Sequence, residues 1–166
     1  MDRQSVDLAP VVKDVLTLRE YYAHTRGLEI LSDIRSNLPR VAVDEDQFKQ
    51  ILLNLINNSI DAVETVEAPK RITVRAFARG NRAIVEVEDT GPGFKDLNRA
   101  LDPFYTTKPV GKGTGLGLSI CYGIIKEHDG EIRLANLQPR GARVTVELPL
   151  GESKERSNVA TASEMS

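Results

Sequence analysis

Residues 47–63 read QFKQILLNLINNSIDAV, and this segment predicts the central helix of the protein. Its apolar side chains recur every three or four positions, which is typical of an amphipathic helix with one buried face. They are Phe48, Ile51, Leu52, Leu55, Ile56, Ile60 and Val63. Asp44 with Gln47 three positions later forms the capping-box pattern of a helix start, and Pro69 marks the limit of the segment.

Three polar residues interrupt this apolar helix. Asn54, Asn58 and Asp61 are spaced i, i+4 and i+7, so they share one helical face. Buried carboxamides need hydrogen-bond partners, and an amide oxygen is a hard ligand that suits magnesium. The alternative is a solvent-facing stripe, to which Asn57 would add polarity. The stripe alone does not decide between a ligand site and a solvated face.

The segments around this helix predict a two-layer α+β sandwich. Helices are expected at residues 7–25 and 115–128, a strand at 28–35 and a short extended piece at 40–43. Strands 71–78 and 82–89 are joined at Gly80-Asn81, and strands 131–136 and 142–148 form a second hairpin. Hairpins that alternate with helices favour a mixed, mostly antiparallel sheet covered on one face by helices. The Gly- and Pro-rich residues 90–114 are expected to form one long loop, and a loop of this length is usually either a functional lid or disordered.

Length and composition exclude several classes of protein. The 166 residues fit one domain, expected at 1–150, with a polar tail at 151–166 that we expect to be disordered. A net charge of −2 and only 5% aromatic residues argue against nucleic-acid binding. No apolar run suits a membrane span or a signal peptide. The single Cys121 excludes an internal disulfide, favours simple core packing and agrees with a cytoplasmic location.

A second motif follows the strand at 82–89. The strand period places Asp89 on the same side as Val85 and Val87, where a carboxylate needs donors such as the exocyclic amine of adenine. Gly91 and Gly93 would let the backbone approach a flat ligand closely. The alternative is an ordinary Asp-Thr-Gly turn at a strand end.

A third motif, residues 111–119 with the sequence GKGTGLGLS, leads directly into the predicted helix at 115–128. Free backbone amides, a helix N-terminus and a lysine together favour a bound polyphosphate. The spacing fits neither a Walker loop nor a dinucleotide fingerprint. A flexible hinge is the alternative.

In this order, the motifs resemble the Bergerat-type ATP-binding fold, and most closely the catalytic domain of bacterial sensor histidine kinases. Residues 50–62 resemble the N box of that family, and residues 89–94 resemble its first glycine box. Residues 103–108 (PFYTTK) resemble its F box, and residues 113–120 (GTGLGLSI) its second glycine box. Four boxes in order, over roughly residues 6–150, are far more specific than any one of them. The sequence of residues 107–113 resembles the nitrogen-regulation branch of these kinases.

The resemblance implies a role for each marked position, with ATP and Mg²⁺ as cofactors. Asn58 would hold the magnesium ion with support from Asn54, and Asp89 would accept a hydrogen bond from adenine. A long lid over residues 94–112 would carry Lys108 and Lys112 to the phosphates. The remaining nucleotide-binding positions implied are Asp61, Gly91, Gly93, Phe104, Thr107, Gly111, Gly113, Thr114, Gly115, Leu116 and Gly117. Phe104 would anchor the lid by packing, and Gly113, Gly115 and Gly117 would wrap the phosphates.

The residue at position 54 bears on the reaction type. Relatives that hydrolyse ATP place a glutamate four residues before the magnesium-binding asparagine, where this chain has Asn54. Because a carboxamide cannot act as a general base at neutral pH, phosphoryl transfer to a histidine is favoured, with Asn54, Asn58, Lys108 and Lys112 as the catalytic set. Two alternatives stay open: an ATPase or serine-type kinase of the superfamily, and a nucleotide-binding module without chemistry.

The acceptor histidine expected of such a kinase is missing from this chain. His24 lacks the acceptor motif. His128 falls in the last predicted helical turn, where it would interact favourably with the helix dipole. We therefore expect a helical dimerisation and acceptor domain in the same full-length protein or in trans, and a downstream response regulator. No nucleic acid or direct membrane contact is expected, and the isolated domain should be monomeric. Many such kinases carry a cation at the position of Asp61, so its role is open.

Overall fold

The computed structural model describes residues 1–103 and 117–150. Its elements in chain order are β1 (Gln4–Val6), α1 (Leu8–Thr25), β2 (Glu29–Ile34), β3 (Val41–Val43), α2 (Glu45–Glu64), β4 (Arg71–Arg79), β5 (Arg82–Asp89), α3 (Gly117–Glu127), β6 (Glu131–Asn136) and β7 (Ala142–Pro149). Every predicted helix and strand is present, with ends that agree to within about two residues. Among the elements of these two described ranges, strand β1 alone was not predicted from the sequence.

A five-stranded sheet with the order β2-β4-β5-β7-β6 forms one layer. Strands β2 and β4 pair in parallel, and the other neighbours pair antiparallel. The three helices cover one face, where Ile72, Val74 and Ala76 of β4 and Val85 and Val87 of β5 are buried. The predicted two-layer α+β sandwich with a mixed, mostly antiparallel sheet is therefore confirmed.

The opposite face of the sheet carries charged side chains in place of a second helical layer. Glu88 of β5 pairs with Arg75 of β4 at 2.9 Å and with Arg143 of β7 at 2.7 Å. Partly exposed pairs of this kind contribute roughly 0–1 kcal/mol each. The period-two alternation of each strand thus directs apolar residues to the helices and charges away from them.

The capping box predicted at the start of α2 is only half formed. The Asp44 side chain accepts from the Gln47 N–H at 3.1 Å, as expected. The Asp44 N–H, however, donates to Nε2 of His128 at 3.0 Å, and the Gln47 side-chain oxygen has no partner in the part of the chain that the structure describes. The end of α3 therefore completes the cap of α2.

His128 is buried, and both of its ring nitrogens are used. Nδ1 donates to the Ile124 carbonyl at 2.8 Å, while Nε2 accepts from Asp44, so the ring is a neutral bridge between two helix termini. Strand β1 pairs antiparallel with β3 beside this junction, and Arg3 donates to the Glu127 carbonyl. Among residues 1–103 and 117–150, no helix is both long and apolar enough to cross a bilayer.

Candidate functional site

The polar face of α2 divides into a half-buried part and an exposed part. Asn54 and Asn58 are half-buried, whereas Asp61 is exposed. A Cβ built on Gly117, the first residue of α3, would lie 3.4 Å from Nδ2 of Asn58. Asn54 and Asn58 are thus not on a freely solvated stripe, and Asn58 lies beside the start of α3.

Asn54 lies against the core side of α3. Its amide hydrogen-bonds the thiol of Cys121, which is fully buried and approaches the Ile51 carbonyl at 3.8 Å. Burial raises the pKa of the Cys121 thiol to about 11, so this side chain is a neutral thiol at physiological pH. The expected core packing of Cys121 is confirmed.

Asp89 ends β5 with its side chain on the helix-facing side, as the strand period predicts. The residue is 7% exposed, and burial raises the pKa of its carboxyl above the ordinary 3.8. The Gly91 N–H donates to Oδ1 at 2.9 Å, and hydrogen bonds from Ser59 and the Ala142 N–H also favour the charged form. Among the ion pairs of the described residues, none includes Asp89. A carboxylate held by neutral donors can accept a further hydrogen bond from a ligand.

Helix α2 brings the first two motifs together. Ser59, which contacts Asp89, is the neighbour of Asn58 in α2. A Cβ built on Gly91 would lie 2.8 Å from the Cβ of Ala62, so the first glycine turn packs directly on α2 one turn beyond Asn58. Asn58, Asp89 and Gly91 therefore converge on one side of α2.

The two glycines of the first glycine box are required by contacts within the protein. Gly93 has φ +86°, and its Cβ would lie 2.8 Å from Oδ1 of Asn136 and 3.0 Å from the Gly141 carbonyl oxygen. A Cβ at Gly91 would meet Ala62 and the Asp89 carboxylate. Close approach to a ligand, as expected from the sequence, is thus not needed to explain why these positions are glycine.

Several residues that shape the site were missed by the sequence analysis. Ser59 could have been found, because it shares a helical face with the buried Leu52, Ile56 and Val63, where a hydroxyl needs a partner. Thr90 fastens the glycine turn to the start of β4, since its hydroxyl donates to the Pro69 carbonyl at 2.6 Å and accepts from the Arg71 N–H at 2.9 Å. No local signal marks Asn136, whose partner Phe94 belongs to a distant segment.

Much of the expected phosphate end lies outside the described residues. Those positions are Phe104, Thr107, Lys108, Gly111, Lys112, Gly113, Thr114, Gly115 and Leu116, and the tail 151–166 lies outside as well. The F box beyond Pro103, residues 104–112 of the lid and the second glycine box before Gly117 therefore stay predictions.

The described residues fit a magnesium ion held mainly by ligand oxygens and water. They contain no cluster of three or more histidine, cysteine, aspartate or glutamate side chains that could cage a metal. Asn58 supplies a hard amide oxygen beside the start of α3. Magnesium at nucleotide sites commonly takes one or two protein ligands and completes its shell with phosphates and water, so one carboxamide donor is compatible with it.

Comparison with known sequences identifies the family. The sequence profile of the histidine kinase-, DNA gyrase B- and HSP90-like ATPases matches residues 43–152. The C4-dicarboxylate transport sensor protein DctB of Pseudomonas aeruginosa is 33% identical over 147 residues, which are 87% of this chain and 24% of DctB. The sensor histidine kinase ZraS of Escherichia coli O157:H7 is 33% identical over 154 residues, 92% of this chain and 32% of ZraS. The chain thus spans about a quarter to a third of these curated relatives.

Comparison with solved structures agrees. The catalytic domain of the histidine kinase ThkA superposes with a TM-score of 0.79 at 29% identity, covering 90% of this chain and 96% of that domain. Full-length ShkA in complex with AMPPNP gives 0.78 at 30% identity over 90% of this chain and 31% of ShkA. ThkA in complex with the response regulator TrrA superposes with a TM-score of 0.76 at 25% identity, covering 92% of this chain and 43% of that chain. The chain therefore belongs to the histidine kinase-, DNA gyrase B- and HSP90-like ATPase family, among the catalytic domains of sensor histidine kinases.

Proposed function

We propose that this chain binds Mg-ATP and donates the γ-phosphoryl group to a histidine on a separate helical domain. The observation that carries the proposal is that Asp89, at the end of β5, contacts Ser59 of α2, the residue next to Asn58. Asp89 offers a buried carboxyl group, and Asn58 offers an amide oxygen. The two groups match the two ends of a nucleotide: a base with an amine donor, and a metal-bound polyphosphate. The unit that acts would be residues 1–150.

Asp89 would recognise the adenine. Its carboxyl group is already oriented by the Gly91 N–H and by Ser59, so no rearrangement is needed when a base amine arrives. Gly91 and Gly93 form the turn beside it. A hydrogen bond to a charged acceptor contributes about 1.5–3 kcal/mol, enough to discriminate adenine from a base without the amine.

Asn58 would hold the magnesium ion through its amide oxygen, and Asn54 would support it. Bound magnesium neutralises charge on the transferring phosphates. Gly117 begins α3 beside the Asn58 side chain, where an added Cβ would be in van der Waals contact with the Asn58 amide. Lys108 and Lys112, with Phe104, Thr107, Gly111, Gly113, Thr114, Gly115 and Leu116, are proposed to complete the phosphate end; Asp61 is proposed to lie at its margin.

The side chain at position 54 supports transfer over hydrolysis. Asn54 cannot take a proton from water, and its amide is engaged by the Cys121 thiol. An imidazole nitrogen needs no such base, because it is already a neutral nucleophile at physiological pH. Positioning and charge neutralisation then suffice for the step.

The partners follow from the same chemistry and from the relatives. ShkA was solved with an ATP analogue and ThkA with a response regulator, which supports nucleotide and regulator as partners here. We propose a helical dimerisation and acceptor domain in the full-length protein or in trans, a cytoplasmic location, no contact with nucleic acid or lipid, and a monomeric isolated domain. The nitrogen-regulation branch is proposed from residues 107–113 alone.

A phosphotransfer assay tests the proposal. The purified domain is mixed with labelled ATP, Mg²⁺ and a histidine-bearing helical acceptor domain, and acid-labile label on the acceptor is measured. We expect transfer by the wild type and by Asn37→Ala, a control in the β2–β3 loop, and strong loss in Asn58→Ala and Asp89→Asn. Steady ATP turnover without acceptor would favour the ATPase alternative, and normal transfer by both variants would refute the residue assignment.

A further inference from the structure

Asn136 lies at the same end of the sheet as Asp89. It is the last residue of β6 and pairs with Ala142 of β7, which in turn pairs with Asp89 of β5. Side chains in such a transverse row share one face, so Asn136 and Asp89 lie two strands apart on the helix-facing side with only a methyl group between them. No motif of the sequence includes Asn136.

The Asn136 carboxamide closes two hydrogen bonds on a single residue. Its Oδ1 accepts from the Phe94 N–H at 2.6 Å, and its Nδ2 donates to the Phe94 carbonyl at 3.0 Å. Asn136 thus pairs with the Phe94 backbone as a neighbouring strand would. The Phe94 ring is partly buried against the core, which fixes the same residue from its other side.

The surrounding glycines show how closely this contact is fitted. Gly93 adopts φ +86°, and a Cβ there would strike Oδ1 of Asn136 at 2.8 Å. Gly141 adopts φ +118°, and its Cβ would lie 2.2 Å from the carbonyl oxygen of Asp89. Side chains are therefore excluded at both places where the glycine turn, the β6–β7 hairpin and the end of β5 meet.

We infer that Asn136 is a positioning residue for nucleotide binding. It fixes the backbone at Phe94 and so holds Gly91 and Gly93 beside Asp89 before any nucleotide arrives. The inference rests on the proposed function, because it needs the base to bind at Asp89. Since Asn136 acts at the base end and not on the phosphates, its loss should lower the affinities for adenosine, ADP and ATP by equal factors.

The test compares Asn136→Ala, Asn136→Asp and the control Asn81→Ala, which removes an exposed carboxamide from the β4–β5 turn at the opposite end of the sheet. Hydrogen exchange of the Phe94 amide is measured without nucleotide, with the Arg133 and Ala135 amides of β6, which face β7, as internal references for folding. Affinities for adenosine, ADP and ATP are then measured by calorimetry. We expect Asn136→Ala to accelerate hydrogen exchange of the Phe94 amide about tenfold and to lower the affinity for each of the three ligands about tenfold.

Asn136→Asp separates the two hydrogen bonds. The carboxylate can still accept from the Phe94 N–H but repels the Phe94 carbonyl, so exchange should stay slow while nucleotide affinity falls by an intermediate factor. This variant also keeps the inference testable if Asn136→Ala loosens β6, which the two reference amides would report.

The inference is overturned if Phe94 exchange does not respond to Asn136→Ala, or if exchange becomes faster while the affinity for all three ligands is unchanged. A loss of affinity confined to ATP and ADP would also overturn it, because that pattern places the effect at the phosphates. A wild-type domain that binds no nucleotide would instead refute the proposed function. The two failures are distinguishable because Phe94 exchange is read without ligand.

Discussion

Asp89 is the residue at which function and stability oppose each other most directly. Its carboxyl is buried at the end of β5, and burial raises its pKa from 3.8. A folded-state pKa above the unfolded value means that the folded chain binds the proton more tightly. The carboxyl therefore favours folding at acid pH, and that contribution is lost as pH rises from the unfolded pKa through the folded one.

Replacing Asp89 by Asn should separate the two effects. Because the charge is removed while the Gly91 N–H keeps its acceptor, we expect the melting temperature at pH 7 to rise by a few degrees. The difference from wild type should shrink as pH falls through the raised pKa of Asp89, because protonation then removes the charge from the wild type as well. ATP affinity should fall about tenfold or more. Thermal melts and calorimetry over that pH range measure both; a variant that melts lower at pH 7 would show that the desolvation of Asp89 is fully offset.

The raised pKa of Asp89 also predicts how nucleotide binding depends on acidity. A protonated carboxyl loses the charge that strengthens the hydrogen bond to a base amine. Affinity for adenosine, which carries no titrating phosphates, should fall as pH decreases through a value above 3.8. Asp89→Asn should lack this dependence. A wild-type affinity that is flat down to the ordinary aspartate range would contradict the assignment of Asp89 to the base.

Asn58 is tested by its dependence on metal. We expect Asn58→Ala to bind ATP in the presence of Mg²⁺ about as weakly as the wild type does without the metal, because the variant lacks the amide oxygen. Adenosine affinity should not change. The neighbouring Asn57→Ala is the matched control, since Asn57 is also half-buried on α2 but lies outside the stripe of Asn54, Asn58 and Asp61. Equal magnesium dependence in wild type and Asn58→Ala would assign the metal elsewhere.

At the scale of elements, the junction of α2 and α3 shows what local patterns can and cannot predict. The start of α2 was predictable because an N-cap and its partner Gln47 lie three residues apart. The bond from the Asp44 N–H to His128 was not, because it joins residues 84 positions apart. The same limit applies to Asn136 and Phe94, whereas Asp89 was predictable from the period of a single strand.

His128→Phe should destabilise the domain by about 1–3 kcal/mol. The substitution keeps a ring but leaves the part-buried Asp44 N–H without its acceptor, whereas the Ile124 carbonyl still accepts from the backbone N–H of residue 128. His24→Phe, at the exposed end of α1, should change stability by less than about 0.5 kcal/mol. Urea unfolding of the two variants measures the difference; equal midpoints would mean that the bridge adds no net stability.

At the scale of the whole molecule, the fold class could be predicted but the strand order could not. Hairpins β4–β5 and β6–β7 are marked by turn residues, so their pairing follows from the sequence. The parallel pairing of β2 with β4, and of β5 with β7, depends on how three helices pack together on one face. Strand β1 has only three residues and pairs with β3 from more than thirty residues away, so no local pattern indicates it.

The absence of an acceptor motif predicts a bimolecular reaction for the isolated chain. With a separate acceptor domain, the rate of phosphohistidine formation should rise in proportion to acceptor concentration and then saturate. Without acceptor, the domain should neither label itself nor hydrolyse ATP at a rate above background. Labelling of the domain alone at His24 or His128 would contradict the assignment of the acceptor to another domain, and His24→Gln would identify the residue.

The short strand β1 also matters for fusions that join this catalytic unit to another protein. Val6 is buried, Ser5 and Gln4 pair with β3, and Arg3 reaches the carbonyl end of α3. A fusion junction at the start of α1 would remove β1 and leave β3 with an unpaired edge. Unpaired strand edges promote aggregation of the chain. A chimera joined ahead of Arg3 keeps the edge closed, and only such a fusion is expected to remain well behaved at high concentration.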